Sequence, residues 1–135
     1  MTHGGLSCRH STMGRYEDLR AWRRAMALVE EVYRVTTASS FDRDWGLRSQ
    51  LRRAAVSVAS NIVEGYERGS RREFTRGLTI AKGSCGEVQV QLLLAIRVGH
   101  VSADDARVAT DLAAEVSALL ARLRASVRRQ ATLKE

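Results

Sequence analysis

From Tyr16 onward, apolar residues return every three or four positions in four successive blocks, the spacing of amphipathic helices. Leu19, Trp22, Met26, Val29 and Tyr33 set the first stripe, and Thr36 to Ser40 break it. A second helix is expected to open near Asp44 and to carry Leu47, Leu51, Ala54, Val58 and Ile62, with Gly65 and Gly69 bracketing a frayed end. Ser70-Arg71-Arg72-Glu73 has the S-x-x-E form of a capping box, which satisfies orphan amides at a helix start. The third stripe follows through Phe74, Leu78, Ala81, Cys85, Val88, Leu92 and Ala95, with Gly99 placed as a stop. Ser102-Ala103-Asp104-Asp105 reads as an N-cap followed by acids at the positive end of a helix dipole. Ala109, Leu112, Val116, Leu119 and Leu123 continue that fourth helix, and Arg122, Arg124, Arg128 and Arg129 crowd its other end. Four such rods joined by short loops predict an all-α, antiparallel up-down-up-down four-helix bundle over residues 15–130. Residues 1–14, small, polar and without period, are expected to be a disordered leader, and 131–135 a short C-terminal tail.

Composition narrows the class further. A chain of 135 residues defaults to one domain, and one with no proline is a poor match for turn-rich sandwiches, barrels or doubly wound sheets. With 44% hydrophobic residues it can bury a core. Cys8 and Cys85, one in the leader and one inside a helical pattern, are two lone thiols that make no disulfide framework, and His3, Cys8 and His10 fit no standard metal spacing. No apolar run approaches the roughly 20 residues that span a bilayer, and Met1 to Arg15 lacks the apolar stretch of a signal peptide, so the expected location is cytoplasmic.

Charge changes the picture more. Lys and Arg number 22 against 15 Asp and Glu, a net charge of +7, and only Lys82 and Lys134 are lysine. Arginine is the better bidentate phosphate and carboxylate ligand, although a GC-rich coding sequence produces the same bias. The excess is uneven: +3 over 70–99 and +4 over 122–135, with −3 over 100–121 between them.

Two helices depart from a plain apolar-in, polar-out pattern. At about 100° per residue, Arg53, Ser57, Ser60, Asn61, Glu64 and Arg68 share a sector beside the apolar stripe of the second helix. Glu73, Gly77, Ser84, Glu87 and Gln91 do the same on the third. Small residues mixed with a few charges let another helix approach closely while polar groups fix the register. The pattern fits a helix–helix or subunit interface, with Gln50, Ser57, Ser60, Asn61, Glu64, Ser84, Glu87 and Gln91 as its candidates; ordinary boundary positions are the plainer reading. Gly77, Gly83 and Gly86, unfavourable inside a helix, point to a close contact nearby. Catalysis finds little support. Glu64 and Glu87 have no nearby His, no Glu-x-x-His pair occurs, the serines lack a base, and Gly65 to Gly69 has neither the spacing nor the lysine of a phosphate loop. Cys85 reads as a buried, inert thiol, and Trp22 and Trp45 as core and helix-start packing. No cofactor is implied, and the chain is read as a non-enzyme.

The segments YEDLRAWRRAMALVEEVYRVT, GLRSQLRRAAVSVASNIVEGYERGSRREF and IAKGSCGEVQVQLLLA resemble the small bacterial four helix bundle protein family, whose founding members are encoded by intervening sequences within 23S ribosomal RNA genes. The resemblance covers about two thirds of the chain, and Gln50, Arg52, Arg53, Ser57, Ser60, Asn61, Glu64 and Gly65 in that order are its most specific part. It implies a left-handed bundle that assembles as a homopentamer around a central channel. It also implies kinship with the accessory variability determinant of diversity-generating retroelements, a basic bundle that partners a reverse transcriptase and contacts nucleic acid. Relatives typically have proline where this chain has Asp42 and Ala59, and a larger aliphatic residue at Cys85.

The expectation that follows is a non-enzymatic, homo-oligomeric, basic bundle that associates with RNA or DNA. In a pentamer the charge becomes about +35, enough for salt-sensitive phosphate attraction. Arg52, Arg53, Arg71, Arg72, Arg76, Arg122, Arg124, Arg128 and Arg129 are the candidate phosphate ligands, Arg53 having Glu64 or Glu87 as an alternative partner. The competing expectations are an adaptor that docks a reverse transcriptase and a structural pentamer with incidental charge.

Overall fold

The computed structural model describes Tyr16 and residues 19–134; the expected leader over 1–14 lies outside the described residues, as does Glu135. Four helices follow one another: α1 Arg20–Val35, α2 Trp45–Glu67, α3 Arg71–Arg97 and α4 Arg107–Lys134, with a short 3-10 turn, Ser39–Arg43, between the first two. Each packs against its neighbours in sequence, and α4 closes back on α1. Side-chain pairs fix the directions. Ser57 meets Ser84 and Gln50 meets Gln91 across α2 and α3, Lys82 meets Ser117 and Thr79 meets Arg124 across α3 and α4, and Arg24 meets Glu115 while Arg34 meets the Asp105 carbonyl across α1 and α4. Every adjacent pair is therefore antiparallel, the expected up-down-up-down bundle.

The helix boundaries follow the local chemistry. Asp44 caps α2 by accepting the Leu47 amide at 3.2 Å, and Ser70 caps α3 by accepting the Glu73 amide at 3.1 Å. Gly99, at φ +87°, closes α3: the His100 amide reaches the Ala95 carbonyl and the Gly99 amide reaches Ile96, the paired bonds of a Schellman motif. Ser102 does accept the Asp105 amide at 3.0 Å, but it caps a tight turn, and the regular α4 begins only at Arg107. Gly65 does not mark the expected frayed end. It is buried, and α2 runs past it to Glu67.

The core is aliphatic and small. Leu28, Val32, Phe41, Leu51, Val58, Ile62, Leu78, Val88, Leu92, Val116 and Leu120 are fully or almost fully buried, interleaved with many alanines. On α1 the buried face is Ala21, Ala25, Leu28, Val32 and Val35. Of the expected stripe, Leu19, Trp22 and Val29 are partly buried and pack against the edge of this core, whereas Met26 and Tyr33 are exposed, so the buried face lies about one residue, or 100°, round the helix from them. Both sets have helical spacing. The bulkier side chains carry the stronger hydrophobic signal, whereas alanine lets α1 sit closer to its neighbours. Trp45 is likewise 72% exposed and packs no core. Cys85 is buried as expected. Its thiol donates to the Ala113 carbonyl at 3.2 Å, and burial pushes its pKa up to about 11, which leaves it protonated and unreactive.

Candidate nucleic-acid and subunit interfaces

The polar stripes of α2 and α3 meet inside one chain. A Cβ on Gly77 would lie 2.6 Å from the Asn61 carbonyl oxygen and 2.9 Å from the Gly65 Cα, so only glycine at 77 allows this approach. Further along the same pair of helices, Ser57 and Ser84 share a 2.8 Å hydrogen bond, and Asn61 donates to both the carbonyl and the hydroxyl oxygen of Ser57 at 2.9 and 3.0 Å. Beyond them Gln91 donates to Gln50 at 3.4 Å, while its own side-chain Oε1 is buried without a partner. Ser57, Asn61, Ser84 and Gln91 thus form an intramolecular seam. Ser60, Glu64 and Glu87 stand on its outer rim. At the Gly65–Gly77 end a shallow cleft of about 210 Å³ opens between the helices, lined among others by Asn61, Glu64, Arg68, Glu73, Arg76 and Ile80.

The nine candidate arginines divide into two groups. The antiparallel topology sets the start of α3 beside the end of α4, which brings Arg71, Arg72 and Arg76 to the same end of the bundle as Arg122, Arg124, Arg128 and Arg129. Arg124 marks the junction by donating to Thr79 at 3.4 Å. Arg72, Arg76, Arg122 and Arg129 are exposed, and the Arg71 Nε is buried with no partner. Arg71 and Arg72 occupy the first turn of α3, where the helix dipole disfavours cations.

Arg52 and Arg53 are not brought there. Arg52 donates to the Thr36 hydroxyl at 2.7 Å and stacks over Tyr33, its guanidinium carbon 4.5 Å from the ring centroid. Thr36 is buried and donates in turn to the Val32 carbonyl, so Arg52 fastens the end of α1 to α2. Arg53 stands on the rim of the seam and makes no ion pair with Glu64 or Glu87.

The chain's match to a family model spans residues 17–122 and takes in the first three helices with the first part of α4. The chain belongs to the 23S rRNA-intervening sequence protein family. No curated protein matches it. In this member of the family, Arg124, Arg128 and Arg129 fall beyond the matched segment, whereas the seam lies wholly within it.

One arginine at the basic end was missed as a phosphate ligand by sequence reasoning. Arg68 follows the last turn of α2 and is more than half exposed. The signal that could have found it was the topology, because an antiparallel pair sets the end of α2 beside the α3 start. Arg20, at the start of the shorter α1, meets Glu115 in the first half of α4 and does not reach that end. The opposite end is mixed in sign and paired internally. Asp42 meets Arg48 at 2.7 Å, Asp104 meets Arg107, and Asp44 meets His100 at 2.8 Å. No described helix is long and apolar enough to cross a membrane.

Proposed function

We propose that this member of the 23S rRNA-intervening sequence protein family is a non-enzymatic, homo-oligomeric bundle that binds nucleic acid through its arginine-rich end. The observation that carries the reading is the convergence of Arg71, Arg72 and Arg76 with Arg122, Arg124, Arg128 and Arg129 at one end of the molecule. Arginine's planar fork pairs with phosphate oxygens in two-point contacts, and each phosphate neutralised releases a condensed counterion. Such binding needs no pocket and reads no bases, in keeping with a surface whose exposed aromatics, Trp45 and Tyr33, lie at the other end. Assembly multiplies the effect by setting several such ends side by side.

A filter-binding or mobility-shift assay against structured RNA and duplex DNA, at low and at moderate salt, tests the reading. The expected result is binding at low salt that weakens steeply as salt rises. Absence of binding at low salt overturns it.

A further inference from the structure

The outer rim of the α2–α3 seam carries four charges that stand in matched positions without being paired to one another. In the register set by Ser57–Ser84 and Gln50–Gln91, each step along α2 is a step back along α3. Arg53 therefore lies level with Glu87, and Glu64 level with Arg76. All four reach the surface. Among the described residues, Arg53, Arg76 and Glu87 close no ion pair, and Glu64 meets Arg68 one turn along its own helix at 3.2 Å. The two levels are roughly 16 Å apart along the helices. From one level to the next, α2 presents positive then negative, and α3 presents negative then positive.

Between these charges the surface is small and partly apolar. Ser60 and Gly83 are exposed there, and Ile80 is 44% exposed beside them. Glycine inside a helix is destabilising relative to alanine. Gly77 offsets that through its contact with α2, but a Cβ on Gly83 would meet nothing within 4 Å. The chain itself gives Gly83 no reason to be glycine. A second backbone passing over this point does.

We infer that this face is a contact between two copies of the chain, with α3 of one lying along α2 of the other at the same level. Arg76 then faces Glu64 of the second copy and leaves phosphate binding to the other arginines of its end, Glu87 faces its Arg53, and Gly83 lets the helices approach between the two pairs. The inference rests on the homo-oligomeric part of the proposed function. The charge order also selects the register: a slide by one level sets Arg76 against Arg53 in one direction or Glu87 against Glu64 in the other, inverting one helix sets both, and like charges repel.

Charge reversal in separate copies tests it. Arg76→Glu and Glu64→Arg are prepared as single variants of the full chain, their helicity is checked by circular dichroism, and mass is measured by light scattering over a concentration series. Wild type is expected to assemble. Each variant alone, with like charges facing across the contact, is expected to need about tenfold more protein to do so. An equimolar mixture sets the two reversed charges opposite one another, restores an attractive pair, and is expected to regain assembly at lower concentration than either variant alone. A wild type that stays monomeric at every concentration overturns the homo-oligomeric reading and the contact with it. A wild type that assembles while both variants assemble equally well overturns this face alone. Loss in both variants without recovery in the mixture overturns the α3-to-α2 pairing.

Discussion

The α2–α3 seam and the α1–α4 seam hold the same bundle together in opposite ways. Across the first, Gly65 and Gly77 bring two backbones into contact, and short side chains close the remaining gaps with hydrogen bonds. Across the second, long side chains do the reaching. Arg24 grips Glu115 through two nitrogens at 3.1 and 3.0 Å, Arg20 adds a third contact at 3.4 Å, and Arg34 donates to the Asp105 carbonyl at 3.0 Å. A close seam tolerates no added atom. A bridged seam, part-exposed and screened by solvent, tolerates many substitutions, because each ion pair there contributes little. The contrast explains why the sequence pattern of α2 and α3 is so specific and that of α1 and α4 so ordinary.

The sharpest way to break the contrast is Gly77→Ala. With carbonyl and Cα atoms inside 3 Å of the new methyl, the helices must separate, and a loss of about 1–3 kcal/mol is expected in urea unfolding. A near-neutral result would refute the close seam. Gly83→Ala, further along the same helix, is expected to act in the other direction. It meets nothing within the chain, so the isolated subunit gains up to about 1 kcal/mol while assembly weakens, as thermal melts and light scattering on one preparation would show. Glu115→Ala tests the bridged seam. A loss of about 0.2–1 kcal/mol is expected, shrinking as salt is added. A salt-independent loss as large as that of Gly77→Ala would erase the difference between the seams.

The smallest expected effect concerns acid. The hydrogen bond from His100, and after it the Leu47 amide, holds the Asp44 carboxyl below its ordinary value of 3.8. A lowered folded-state pKa contributes stability that is present above the unfolded value and lost as pH falls through the folded one. Because His100 is the larger cause, His100→Ala is expected to flatten the decline of Tm below about pH 4. An unchanged acid limb would show that the pair does not couple α2 to the α3–α4 turn.

Much of this molecule is legible in its sequence. The capping residues Asp44 and Ser70, the Gly99 stop and the four helices follow from local rules that act within a few residues. The face of α1 does not, because Met26 and Tyr33 share the helical period of Ala25 and Val32, and periodicity alone cannot choose between two stripes when the core prefers the smaller one. The polar stripe of α2 and α3 is recognisable as an interface. That Ser57 and Ser84 meet within one chain, leaving Glu64 and Glu87 on the rim, depends on the rotation of each helix about its axis, which packing sets. Arg52 shows the same limit. Its neighbour Arg53 stands on the rim, and only the position of Thr36 on another element draws Arg52 inward.

Charge placement at the two ends of the bundle is the most direct test of the proposed function. Duplex DNA binding is measured as a function of salt for two matched double variants, Arg72→Gln with Arg129→Gln at the arginine-rich end and Arg97→Gln with Arg107→Gln at the opposite end. Each removes the same charge. The first is expected to lower affinity and to reduce the slope of log affinity against log salt by about 0.9 for each phosphate no longer neutralised, while the second leaves the slope unchanged. An equal drop from both ends would contradict a localised phosphate-binding surface and reduce the attraction to net charge alone.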